Sequence, residues 1–214
     1  MTLKDLIDVT ERFLSNSGIK TDESKWDALY VENLIHRYRG MAIVQVYAQT
    51  KNINPLWIQN CPLEYQEDLQ ESNCMVRFPM PAPMILSNTQ TGLIYFGNKN
   101  GVCAFRSVKT RAELAMYNGH RFTNRGKYIR GLYIDGGLEV RNDVMLEFPY
   151  VDAIFNVPTE VPTFNRQYDN YPIDEASIPL MHQLMYKNEG QFLSLKPVDG
   201  NSDSADTANT PNTK

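Results

Sequence analysis

The chain has 214 residues, of which 42% are hydrophobic and 21% charged, enough for one good core or one core with an accessory lobe. Its net charge of −4 argues against a protein whose main task is to grip a phosphate backbone, although an acidic wall lets DNA slide past without sticking. Three widely spaced cysteines without a C-x-x-C pair make a poor disulfide framework and fit a reducing compartment. No apolar run is long enough for a membrane span, and the acidic residues in "MTLKDLIDVTERF" do not read as a secretory signal.

Residues 3–14 place Leu3, Leu6, Ile7, Thr10, Phe13 and Leu14 on one face at helical spacing, with Gly18 as a stop. Thr21, Asp22 and Ser24 are capping candidates for a long second helix, predicted from about residue 23 to about residue 49. That helix is softly interrupted at Gly40 and ended by "NINP", so the two helices form a hairpin. "LWIQNCPLEYQED" alternates like a strand. "CMVRFPMPAPMIL" is predicted as an extended edge segment, because its three prolines cannot donate to a ladder on both sides.

"TGLIYFGNKNGVCAFRSV" reads as a hairpin turning at Asn98-Lys99-Asn100-Gly101, and "TRAELAMYNG" as a short helix. "KYIRGLYIDGGLEVRNDVMLEFPYVDAIF" continues the sheet, with turns at Asp135-Gly136-Gly137 and Arg141-Asn142-Asp143. "YPIDEASIPLMHQLMYKNEG" is predicted as a C-terminal helix beginning near Ser177, where Pro179 is tolerated. The fold class is therefore α+β: an N-terminal helical hairpin, a central, mainly antiparallel β region and a C-terminal helix. One domain is expected over 1–196, helical in 1–52 and 174–190 and β-rich in 55–165. The polar residues 197–214 cannot bury anything and are expected to be disordered unless a neighbouring subunit holds them.

Chemistry is hard to find. His36, His120 and His182 have no partner at i+3 or i+4, which leaves two surface histidines and one on a helix face rather than a metal site. Phosphate-loop, dinucleotide and hydrolase-elbow motifs are missing from the sequence, so no cofactor is expected. Cys61 and Cys74 read as small buried hydrophobes. "HRYR", residues 36–39, is the best basic cluster: Arg37 and Arg39 suit carboxylates of the same or an adjacent chain better than nucleic acid. Two other readings stay open: an enzyme or binding module with a site around His120, Arg121 and Asp152, and a DNA adaptor using Arg37, Arg39, Arg121 and Arg125.

Twelve tyrosines, nine phenylalanines and nine methionines, set among proline-stiffened extended segments (Pro79, Pro81, Pro83, Pro149, Pro158, Pro162), suit surfaces that pack against other proteins. The candidates for such a surface are Arg37, Arg39, Pro81, Pro83, Ile154, Phe155, Pro158 and Phe164. Phe155 and Phe164 serve as anchors of a contact contributed by 144–165. The bland alternative is that Ile154 and Phe155 simply end a core strand.

The order of several motifs carries a resemblance. "HRYRG" on a long helix is followed by "INPLWIQNC", Cys74, "GLIYFGNKNG", "HRF", Tyr128, "LEVRND", "DAIFNVP" and "YDNYP". Over about residues 20–190 this resembles a head–tail connector ring protein of crAss-like bacteriophages and related Bacteroidota tailed phages. The resemblance implies a structural, non-enzymatic virion protein, assembled in the host cytoplasm. Its partners would be copies of itself in a ring of about twelve, closed by heterologous contacts, with the portal protein above and other tail rings beside it. Packaged DNA would pass through the channel without specific binding, and no membrane is involved.

Overall fold

The computed structural model describes residues 1–16, 27–64, 75–98, 104–118, 128–141 and 148–190. The first helix, α1 (Leu3–Asn16), opens on a reciprocal cap: the Thr2 amide and hydroxyl donate to Asp5 Oδ2 (3.0 and 2.8 Å), and the Asp5 amide donates to Thr2 Oγ1. Those bonds hold the Asp5 carboxyl below its usual pKa. The second helix, α2, runs Ala28–Thr50 and is capped by Asp27, whose Oδ1 accepts from the Leu29 amide at 3.1 Å. The predicted start near residue 23 is thus too early: Asp27, still extended at ψ 124°, supplies the cap. Thr21, Asp22, Ser24 and Gly18 lie outside the described residues. Gly40 does not interrupt α2; the Met84 side chain approaches so closely there that an added Cβ would meet its Cε at 3.5 Å. Lys51, left-handed at φ 56°, ends the helix by donating its amide to the Tyr47 carbonyl.

A 3-10 turn, Pro55–Trp57, leads into β1 (Gln59–Pro62), so the predicted strand is short at its start; residues 65–68 of it lie outside the described set. Next come β2 (Met75–Pro79), the small pair β3 (Ile85–Ser87) and β4 (Gln90–Thr91), β5 (Leu93–Asn98) and β6 (Ala104–Ser107). Then α3 (Arg111–Asn118), β7 (Tyr128–Ile134), β8 (Gly137–Arg141) and β9 (Pro149–Ala153) precede α4 (Ile178–Met185), which ends in a wider turn, Tyr186–Gly190. Helix α4 follows a 3-10 turn at Glu175–Ser177 and carries Pro179 near its start, as its sequence requires. The architecture is α+β, with helices at both ends and β structure between.

The strands form a three-stranded sheet, β1-β9-β5, and a four-stranded sheet, β2-β8-β7-β6, beside the β3-β4 pair. All pairs are antiparallel except β6 with β7. One predicted hairpin holds: Asp135 (φ 49°) and Gly136 (φ 79°) both take the positive φ of a tight turn joining β7 to β8. Two others do not. Strands β5 and β6 do not pair with each other, because Leu93 and Phe96 of β5 bury with Val151 and Ala153 of β9, whereas β6 lies along β7. Likewise β8 and β9, read as neighbours within 138–155, belong to different sheets. Residues 99–103 and 142–147, which hold the proposed turns, lie outside the described set. Turn-forming residues permit a hairpin, but burial of each strand's apolar face selects its partner. The predicted edge position of the proline-rich segment is correct: β2 borders its sheet, and Pro83 bridges to Phe155.

Four apolar clusters fill the interior of the described residues, the smallest being Val108, Leu114 and Leu132 where α3 meets β7. Leu3, Leu6, Leu14, Ile35, Tyr38, Met181 and Met185 join α1, α2 and α4. Phe78, Phe96, Leu138, Val140 and Val151 join the two sheets, with the Phe78 and Phe96 rings 5.3 Å apart. Ile43, Trp57, Met84, Leu86 and Ile154 tie the end of α2 to the β3-β4 pair. At that last junction Met84, Gly92 and Ile154 exchange three backbone hydrogen bonds of 2.6–2.8 Å. A Cβ on Gly92 would stand 2.8 Å from the Ile154 oxygen and 3.1 Å from the Met84 oxygen, both backbone atoms. Gly92→Ala is therefore expected to lower stability by about 1–3 kcal/mol in equilibrium urea unfolding.

Candidate functional site

The centre of the molecule is built from a polar stripe on a helix that is otherwise buried. Glu32, His36 and Arg39 sit at i, i+4 and i+7 of α2, on one face, and all three are buried. Facing them is the chain between β9 and α4, residues 154–177. Arg39, 0% exposed, donates from Nε to the Pro172 carbonyl at 2.7 Å, from Nη1 to the Phe155 carbonyl at 2.9 Å and from Nη2 to the Trp57 carbonyl at 3.4 Å. Its guanidinium also lies 5.7 Å from the centre of the Tyr171 ring. Burial pulls the Arg39 pKa down from its ordinary value, but an arginine starts so high that it stays charged.

Tyr171 extends the stripe. Its O–H lies 2.7 Å from His36 Nδ1, while His36 Nε2 lies 3.3 Å from Glu32 Oε1 and 3.4 Å from the Thr159 hydroxyl. Burial holds the His36 imidazole neutral by lowering its pKa, so Tyr171 donates to Nδ1 and the Nε2–H donates to the Glu32 carboxylate. Arg166 reaches Glu32 from the other side with two N–O contacts of 3.2 Å. Burial raises the Tyr171 pKa, which makes its phenol a poor nucleophile. The hydroxyl–imidazole–carboxylate series is thus shut inside the protein, where it fixes the backbone from 155 to 174 against α2. Nearby, the Trp57 indole N–H (2.5 Å) and the Ser177 hydroxyl (2.7 Å) both donate to Asp174 Oδ1.

The surface candidates divide accordingly. Arg39, Pro83, Ile154, Phe155 and Pro158 are buried within the chain itself; Ile154 and Phe155 follow the end of β9 and pack into separate clusters. Arg37 is the exposed arginine of "HRYR", with Glu189 of the same chain at 3.6 Å. Tyr38, between them, donates to Glu189 at 2.6 Å and has its pKa pushed up to about 12, mainly by burial. Pro81 is half-buried. Phe164, also half-buried, packs against both the helical and the inter-sheet cluster, edge-on to Tyr171. It lines a surface groove of about 560 Å³ shared with Met1, Leu56, Ile58 and Ile173 and rimmed by Asp169 and Glu175. Leu56 there is 63% exposed, a large apolar side chain left facing solvent.

Other expectations resolve less fully. His36 and His182 are both buried, not surface groups: His182 stacks on Phe13 at 4.6 Å and shares a 3.1 Å hydrogen bond with Thr10. Cys61 is buried, as a small hydrophobe should be, and its thiol pKa rises to about 11. His120, Arg121, Arg125, Cys74 and Cys103 lie outside the described residues, and Asp152 accepts from Asn60 Nδ2 at 2.9 Å. Among the described residues no group of three or more His, Cys, Asp and Glu side chains could hold a metal ion, and no helix is long and apolar enough to cross a membrane. Sequence reading overlooked Glu32, Arg166 and Tyr171. The signal for Glu32 was its position one turn before His36 on a helix whose neighbouring positions are apolar.

Arg39→Met is expected to destabilise the fold by about 3 kcal/mol or more, because buried carbonyls lose their donor; chemical unfolding checks it. Burial lowers the His182 pKa, so the unfolded chain binds more protons below about pH 6.5. Stability is then fully present above that pH and falls as pH drops, by at most about 1.4 kcal/mol per unit for this group. In His182→Gln the fall of the urea midpoint across that range should become shallower but persist, because buried His36 titrates in the same direction.

A family model described as phage tail ring protein 2 matches residues 6–209 of the chain. No curated protein matches it.

Proposed function

The chain belongs to the crAss-like phage tail ring protein 2 family, and from this premise we propose that its copies form a closed ring in the virion, below the portal. The ring extends the DNA channel and joins capsid to tail, with about twelve copies related by rotation and heterologous contacts between neighbours. Its role is structural and not enzymatic. Its partners are its own copies, the portal protein and the adjacent tail rings, and DNA passes without specific binding. The observation that carries the reading is the family match across 6–209, which spans helices and sheets alike.

The surface supports it. The groove at Leu56 and Phe164 sets apolar side chains at the surface between two acidic rim residues, a shape that a neighbouring protein can fill. The segment that forms it is ordered by the buried node, so docking loses little backbone entropy in each copy. Arg37, Pro81 and Phe164 remain the surface candidates for a subunit or ring contact. The residues 1–196 act as one domain in this reading.

Light scattering on the protein alone and co-expressed with the portal of the same phage tests the proposal. A complex with about a dozen copies per portal is expected; a monomer that ignores the portal and other tail proteins overturns it. Phe164 is a poor probe of the contact, because it also fills two cores. Leu56→Glu is the cleaner variant, expected to leave the unfolding free energy from urea titration within about 0.5 kcal/mol of the parent while weakening assembly at least about tenfold.

A further inference from the structure

The Glu32 carboxylate is shared. The neutral His36 ring donates from Nε2 to Oε1, and Arg166 holds both oxygens, Oε2 from Nη1 and Oε1 from Nη2, at 3.2 Å each. The charged and titratable groups facing His36 are Glu32 and Arg39 from its own helix and Arg166 and Tyr171 from the facing chain. The Thr159 hydroxyl adds a neutral contact from the 3-10 turn Pro158–Glu160. With a neutral ring, Arg166 is the cation paired with Glu32, and Arg39 stands near the imidazole. A second proton on the imidazole puts two cations on Glu32, with Arg39 nearby as a third positive charge, and turns Nδ1 from acceptor to donor, opposite the Tyr171 O–H that donates to it in the neutral state.

The three cations are not equally free to leave. Arg39 is enclosed and tied to three carbonyls. His36 is fixed on α2. Arg166 has a side chain that is 59% exposed, so water can replace Glu32 as its partner. It sits within 162–170, a segment exposed at every residue except the half-buried Phe164. Bonds inside the segment shape it: the amides of Asn165 and Asp169 donate to Asp169 Oδ2 and the Asn165 carbonyl, and the Gln167 amide to Asn165 Oδ1. Its ties to the body include Arg166 to Glu32, Thr163 to the Asn60 carbonyl, the Phe164 amide to the Val161 carbonyl, Asn170 to the Met1 amine and by a backbone bridge to Thr2, and the Phe164 ring.

We propose that His36 is a proton-operated clasp: a second proton on its ring drives Arg166 off Glu32 and loosens the 162–170 segment that carries Phe164. The clasp is a property of one subunit and does not rest on the ring reading. Burial keeps the ring neutral at neutral pH, so the change falls below the ordinary histidine pKa of about 6.5.

Amide hydrogen exchange on the full chain tests it, at about pH 7.5 and about pH 5, after correction for the intrinsic pH dependence of exchange. In the parent protein the amides of 165–170 are expected to lose protection by at least about tenfold on acidification, while those of α2 keep theirs. His36→Gln, which keeps an uncharged donor, should hold the segment closed at both values. Arg166→Gln, a change at the surface, should leave it open at both. An unchanged segment in the parent overturns the clasp. So does the same loss in His36→Gln, which would assign the effect to protonation of Glu32. Loss spread equally over α2 and both sheets also overturns it, as general acid unfolding.

Discussion

The buried guanidinium of Arg39 is the constraint on which the other contacts depend. A fully enclosed cation is tolerated only if its donors are met, and here they are met by backbone carbonyls of three separate stretches, at Trp57, Phe155 and Pro172. Those carbonyls lie far apart in the chain: on the last residue of the turn that follows α2, two residues past the end of β9, and ahead of the 3-10 turn that leads into α4. One side chain thereby closes the helical part and the β part of the chain onto each other. A lysine, with a single nitrogen, lacks the planar fork needed to reach three directions at once.

Around that point the molecule divides its labour. The four apolar clusters provide most of the driving force, since burying their side chains removes large areas from water. They reach the long connection from β9 to α4 at Ile154, Phe155, Val161, Tyr171 and Ile173. Connections of this length without regular structure are uncommon in compact domains unless they have a task. The polar stripe Glu32–His36–Arg39 holds this one in a single conformation, and Tyr171, Val161 and Ile173 add apolar anchors along it. On the proposed ring assembly, a stiff, fixed surface segment would have a plain advantage: every copy would present the same shape before it met its neighbour.

Much of the fold was legible in the residues. The amphipathic face of α1, the end of α2 near residue 50, the β7–β8 turn at Asp135-Gly136, the edge position of the proline-rich strand and the start of α4 next to Pro179 all follow from local rules. Spacing, φ preference and a missing amide act within a few residues of where they are read. The same locality explains the failures. Asn98-Lys99-Asn100-Gly101 has turn chemistry, but the strands on either side go to different sheets, because each finds a better apolar partner far along the chain.

The candidate site shows the same boundary. From sequence alone, Arg37 and Arg39 were equivalent members of a basic cluster. Two residues apart on a helix, they point about 200° apart, so one faces Glu189 at the surface and the other is sealed in the centre. The sequence by itself determined the helices, the tight turn, the proline-limited edge and the surplus of aromatic side chains, because these arise from each residue's own backbone limits and immediate neighbours. Only the tertiary structure decided which strands pair, which arginine is buried and that Tyr171 would meet His36 across 135 residues of chain. Those outcomes depend on desolvation: a polar group goes inside only where distant segments bring it partners, and no local pattern records where such partners will be.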